Sequence, residues 1–140
     1  VLKGWPNNAN LNYDIYKYIQ IIGIIISSKG IINLFIAFHD LGENLSISPI
    51  PVKNSTLITK KSYNKCRHPI YKGLIYISLG VSIYKLSLLH LLLLIMLSYI
   101  LKMKARTEEK KLMILHSSYK EYIKTTPALI SNIPYLDWRS

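Results

Sequence analysis

Seven consecutive residues, Arg67-His68-Pro69-Ile70-Tyr71-Lys72-Gly73, bring together a fixed cation, an imidazole, a proline, a phenol and a glycine. Farther along, two adjacent carboxylates, Glu108 and Glu109, precede tyrosines at 119 and 122. These residue types suit a zwitterionic ligand, because an Arg fork pairs with a carboxylate and a Glu receives an ammonium. They contain no nucleophile–base pair. Two carboxylates with one histidine also make a poor metal set, so no metal site is expected. Charged residues at the ends of membrane spans serve equally as interfacial anchors, and spacing alone leaves both uses open.

The elements around these residues are apolar. Half of the 140 residues are hydrophobic, with Ile and Leu in long runs, which places the chain among membrane proteins and makes one domain over 1–140 the natural reading. The formal net charge of +11 fits either a nucleic acid or a membrane surface. The basic residues flank the apolar runs, and no basic–aromatic stacking platform stands apart from them, so nucleic-acid binding is the last choice. Cys66 is the only cysteine, which excludes a disulfide within the chain. The first residues lack the pattern of a cleaved signal peptide.

Taken in order, residues 1–12 are polar with Gly4 and Pro6 and are expected to form an irregular arm, with Trp5 as a candidate interfacial ring. Residues 13–40 form an N-terminal membrane segment interrupted by Ser27-Ser28-Lys29-Gly30. That turn-prone sequence points to a broken or tightly turned pair of short helices rather than one rod. Residues 45–66, with Pro49 and Pro51, are expected to be a surface loop on the cytoplasmic side. Residues 69–101 read as a transmembrane hairpin turning near Tyr84-Lys85-Leu86-Ser87, with Pro69 at a first helical position. Lys60, Lys61 and Lys65 precede the hairpin, and Lys102, Lys104 and Arg106 follow it. The positive-inside tendency assigns that side to the cytoplasm. His90, within the second run, reads as a packing or interfacial side chain. Residues 102–140 continue as a charged cytoplasmic helix broken at His116-Ser117-Ser118, then an irregular tail with Pro127 and Pro134. If a helix resumes there, Tyr119 and Tyr122 share a face. The fold class expected is therefore all-α: a multi-span helical membrane protein with a transmembrane hairpin and a cytoplasmic C-terminal helix.

The ordered set Arg67-His68-Pro69-x-Tyr71-x-Gly73, an apolar hairpin, Glu108-Glu109-x-x-Leu112, then Tyr119-x-x-Tyr122 and a late proline resembles the isoprenylcysteine carboxyl methyltransferase family. The related phospholipid N-methyltransferases share the plan. The stretch Asp40-Leu41-Gly42-x-Asn44-Leu45 with Ser48-Pro49-x-Pro51 is similar to bacterial members, and the likeness runs from about residue 39 to 134. The resemblance implies an integral membrane enzyme, by its bacterial likeness of the inner membrane, with its active site on the cytoplasmic side. It implies S-adenosylmethionine as cofactor, a lipophilic methyl acceptor, and no obligate protein partner beyond membrane lipids. Carried over by motif, His68, Pro69, Tyr71, Gly73, Glu108 and Glu109 would form the cofactor cleft. Arg67 or Arg106 would hold an anionic acceptor, and Leu74 and Ile75 could line the acceptor's path. Two departures stand out. Lys61-Ser62-Tyr63 replaces a usual Gly-x-Tyr, and His116-Ser117 replaces a usual Phe-Gly.

Two other readings compete. Membrane reductases of the sterol-reductase kind, which use NADPH, carry a similar Arg-His-Pro-x-Tyr-x-Gly segment. They typically place Asn before the Tyr and an acidic residue after the Gly, where this chain has Ile70 and Leu74. A non-catalytic membrane protein with a basic rim for anionic lipid would bind no cofactor and tolerate Glu109→Gln.

Overall fold

The computed structural model describes residues 13–42 and 57–139. The expected arm with Trp5 and the Pro49–Pro51 part of the loop lie outside the described residues. Among those described, the chain is all-helical: α1 (Tyr13–Leu41), a single turn α2 (Ser62–Lys65), α3 (Pro69–Lys85), α4 (Leu88–Leu115) and a short α5 (Tyr119–Thr125). Two of these, α1 and α4, are long and apolar enough to cross a membrane. Their large side chains point outward on nearly every side; Ile25 is 61% exposed, Phe35 70% and Met96 61%. Helices apolar all round belong in a lipid environment or a large core, and no large core surrounds these. At 17 residues α3 is about 25 Å long. It is the shared wall: it packs against α1 on one side and α4 on another.

The contact between α1 and α3 is made by absent side chains. The buried residues of α1 are Gly23, Gly30 and Ala37, seven apart, and α3 buries Gly73 and Gly80, also seven apart. The helices run antiparallel, so Gly23 meets Gly80 and Gly30 meets Gly73. A methyl group on Gly30 would lie 2.7 Å from the Ile77 amide nitrogen and 2.8 Å from the Gly73 carbonyl oxygen. In lipid, where apolar burial between helices gains little, close backbone approach of this kind supplies the packing. Ser27 adds a 3.4 Å hydrogen bond from its hydroxyl to the Ile77 carbonyl.

This seam corrects the expectation of a break near Gly30. Ser27-Ser28-Lys29-Gly30 is continuous helix, because Gly30 and Ser27 are contact residues for α3 and local turn preference is overridden by packing. The hairpin turn is tighter than expected: Lys85 stays helical, and only Leu86, left-handed at φ 43°, and Ser87 separate α3 from α4. The Ser82 hydroxyl donates across the hairpin to the His90 carbonyl at 3.0 Å. The end of the expected surface loop is not on the surface either. Tyr63 and Cys66 are buried. The Asp40 carboxylate at the end of α1 accepts from the Ser62 amide at 3.1 Å, and the Tyr122 hydroxyl donates to the Tyr63 carbonyl.

The core lies at the end where α1 finishes and α3 begins. Tyr71 and Ile75 of α3, Leu101 and Ala105 of α4, and Ala128, Leu129 and Trp138 of the tail form one cluster. Leu74 packs against its edge. The tail after α5 is irregular, as its prolines suggest, but it is packed: Leu129 is 1% exposed. It doubles back through Asn132, left-handed at φ 64°, so that the Leu129 amide donates to the Leu136 carbonyl at 3.0 Å.

The seam predicts a contrast between glycines. Gly30→Ala forces the two backbones apart and should cost about 1–3 kcal/mol. Gly42→Ala, at φ 54° with open space around it, should cost only the left-handed penalty of roughly 1 kcal/mol. Thermal unfolding of the detergent-solubilised variants measures both, and equal losses would argue against the seam.

Candidate functional site

The backbone sets the site first. The Arg67 and His68 amides donate to the Pro127 and Ala128 carbonyls at 2.9 and 3.1 Å, tying the segment before α3 to the tail. Pro69 then starts α3. Glu108 and Glu109 lie on the charged extension of α4, beyond its apolar run, and are successive residues of one helix. They therefore point about 100° apart.

Glu109 points inward and accepts three hydrogen bonds. Its Oε1 accepts from Arg67 Nε at 2.8 Å and from His68 Nε2 at 2.9 Å, and its Oε2 accepts from Trp138 Nε1 at 2.8 Å. Because a carboxylate only accepts, the imidazole proton sits on Nε2. In the neutral ring Nδ1 then keeps its lone pair, 3.9 Å from Glu108 Oε2. The Arg67 side chain is 0% exposed. Its remaining donors reach the carbonyls of Thr126 at 2.5 Å, Ile123 at 3.1 Å and Trp138 at 3.4 Å. One guanidinium thus fastens α4, α5 and the tail to the segment before α3.

Glu108 points the other way and keeps some exposure, with a side chain 26% exposed. It accepts from the Tyr71 hydroxyl at 2.6 Å, and Lys104 Nζ stands 3.9 Å away. The Tyr71 and His68 rings are stacked, 5.3 Å apart and inclined by 3°. Lys102 Nζ lies 3.8 Å over the Tyr135 ring and 5.7 Å from Trp138, holding the tail to α4. Tyr119 and Tyr122 are both buried and meet edge to face at 5.6 Å.

The structure therefore brings Arg67, His68, Pro69, Tyr71, Glu108 and Glu109 together. Gly73 is used differently from the expectation of a close ligand approach: its bare Cα faces the Gly30 carbonyl and the Leu34 backbone of α1. Arg106 is exposed on α4, outside the hydrogen-bonded cluster. Arg67 is enclosed and offers nothing to a bound molecule. Trp138 was not foreseen, since a single tryptophan in an aperiodic tail carries no spacing signal. Among the described residues, no group of three His, Cys, Asp or Glu side chains is placed to hold a metal ion.

Between α2 and α3, Cys66 is 2% exposed, and burial pushes its thiol above the ordinary range. Burial also raises the Tyr119 phenol. Both groups are held neutral when folded and ionise more readily when unfolded. Their contribution to stability is therefore full below the unfolded-state values and falls as pH rises through them, starting near the ordinary thiol value of about 8.5.

These features define a class: a multi-span helical membrane protein whose polar site sits at one end of its helices, built from a pre-helix segment, a helix extension and a tail. The chain matches the model of the isoprenylcysteine carboxyl methyltransferase (ICMT) family over residues 21–114, a span that includes Arg67-His68 and Glu108-Glu109. That span is well over half of the chain, and the protein belongs to this family of membrane methyltransferases. Comparison with curated proteins and with solved structures gives no match. The matched span ends before α5 and the tail, so the contribution of Trp138 to the site is seen only in the structure.

Breaking the buried cluster should be costly. Glu109→Leu leaves the Arg67 charge uncompensated and is expected to lose about 3–5 kcal/mol, whereas Trp138→Phe removes one donor to a charged acceptor and loses about 1.5–3 kcal/mol. Cys66 supplies an independent reading. At pH 8 a maleimide should label it slowly in the folded protein and rapidly in Glu109→Leu, and fast labelling of the unaltered protein would contradict the packing described.

Proposed function

We propose that this protein is an S-adenosylmethionine-dependent methyltransferase acting on a lipophilic acceptor at the membrane, such as a prenylcysteine-type carboxylate or a phospholipid amine. The observation that carries the reading is the division of labour between the paired glutamates inside the family's matched span. Glu109 is fully engaged by protein donors, while Glu108 remains partly exposed beside Tyr71 and His68. The donor set fits a cofactor bearing an ammonium group: one accessible carboxylate, an imidazole nitrogen with an available lone pair and a phenol already oriented.

When bound, the cofactor supplies a methyl group on an electrophilic sulfonium. The chain's own part is to bind and to orient. Glu108 would accept the ammonium, with Tyr71 fixing the carboxylate's rotamer. His68 would contact the cofactor through its Nδ1 side, its ring held by Glu109 and by stacking on Tyr71. Arg67, Glu109 and Trp138 act as positioning residues that keep His68 in place. Direct transfer asks little of acid or base chemistry, so alignment and exclusion of water are the main contributions. Of Arg67 and Arg106, the second is the one exposed and able to offer its guanidinium to an anionic acceptor. The site end gathers Lys60, Lys65, Lys102 and Arg106, while Lys17 and Lys85 mark the other end. By the positive-inside rule this supports a cytoplasmic site, in a bacterial inner membrane by the likeness of the motifs.

Calorimetric titration of S-adenosylmethionine into the detergent-purified protein tests the reading. Glu108→Gln is expected to weaken binding at least roughly ten-fold at an unchanged unfolding temperature, since a charge-assisted contact is lost while the buried cluster stays intact. Absence of binding in the folded protein, with NADPH binding instead, would replace this reading with the reductase one.

A further inference from the structure

Lys29 stands in the wrong company. Along α1 its neighbours on the same face are Ile25, Ile32 and Ile36, exposed to 61%, 59% and 48%. That stripe faces lipid, and a charge within it is costly unless it serves a purpose. The glycine seam explains where its side chain ends up. Gly30 packs against Gly73 and Ile77, which places Lys29 level with the second turn of α3. There its ammonium lies 5.5 Å from the centre of the Tyr76 ring, and Lys72, one turn before Tyr76 on α3, approaches the same ring at 6.0 Å. Two cations from two helices thus emerge on one side of the seam around a single phenol. Among the described residues neither makes an ion pair with a carboxylate.

Tyr71 and Ile75, one residue before Lys72 and Tyr76, face the core and the methyltransferase site, so Lys72 and Tyr76 lie on a different face of α3. We propose that Lys29, Lys72 and Tyr76 form a separate binding site for the phosphate of an anionic phospholipid. Two ammonium groups bracket the phosphate, the Tyr76 hydroxyl is available as a donor, and the acyl chains lie along the Ile25–Ile32 stripe. Charge complementarity selects an anion, and the surrounding apolar surface selects one attached to a lipid rather than a free phosphate ion. Long lysine stems reaching from an apolar face toward a headgroup are the expected geometry at this depth. An anion there also offsets the repulsion between two like charges that share one ring, which the ring's own attraction for cations only partly balances.

The delipidated protein in detergent is titrated with dioleoyl phosphatidylglycerol and, separately, with dioleoyl phosphatidylcholine, with bound lipid counted by native mass spectrometry. The expected result is one phosphatidylglycerol retained per chain. Retention should weaken at least roughly ten-fold in Lys29→Gln/Lys72→Gln, at about five-fold per lysine. It should be unchanged in Lys60→Gln/Lys65→Gln, which removes the same charge from exposed positions near α2. Inorganic phosphate at millimolar concentration should not displace the lipid. Equal retention of the two lipids, equal loss in both double variants, or displacement by inorganic phosphate would each overturn the proposal. Helicity by circular dichroism confirms that the compared variants are folded.

Discussion

One buried carboxylate organises the site end of this protein. Glu109 accepts three hydrogen bonds from two separate parts of the chain: Arg67 and His68 before α3, and Trp138 in the tail. None of these groups could be buried alone. An enclosed guanidinium needs a carboxylate, an enclosed carboxylate needs donors, and the indole N–H needs an acceptor. Each answers the need of another, so the segment, the helix extension and the tail are stable together and not singly. The tail carries no regular structure, yet Ala128, Leu129 and Trp138 are buried, because the cluster beneath them fixes where they must lie.

The same logic separates two residues that look identical in sequence. Adjacent glutamates on a helix diverge by about 100°, so one can serve the scaffold and the other a ligand. Glu109 is enclosed, and Glu108 keeps access to solvent and to Tyr71. A rigid shell behind a partly exposed polar group holds functional side chains in place better than a loop would.

Much of this was legible. Basic residues bracketing two apolar runs imply a hairpin, and a hairpin brings residues 67–71 to the level of 108–109. The motif spacing then points to the family. What could not be read is equally specific. Nothing in Arg106-Thr107-Glu108-Glu109-Lys110 says which glutamate turns inward, since both sit among charges and no periodicity marks a buried face. Trp138 joins the site over a sequence distance that no local pattern spans. In α1, Ser27-Ser28-Lys29-Gly30 has good turn chemistry, but that local preference yields to contact with α3. The sequence signal for continuity is the glycine spacing: Gly23 and Gly30, and Gly73 and Gly80, repeat at seven residues on two apolar segments.

That repeat also limits how the helices can move. With two glycine pairs in antiparallel register, sliding α1 along α3 by about one turn would carry Ile26 or Leu34, in place of Gly30, toward the α3 backbone at Gly73. The next register that again opposes glycine to glycine is seven residues away, about 10 Å of travel, and it keeps one pair of the two. The seam therefore behaves as a detent rather than a bearing. Relative motion of α1 and α3 is confined to rocking about the glycine contacts, with the ends of the helices moving most and the middle least. The site lies toward one end of that rocker, whereas the paired lysines, each next to a seam glycine, sit beside a contact point.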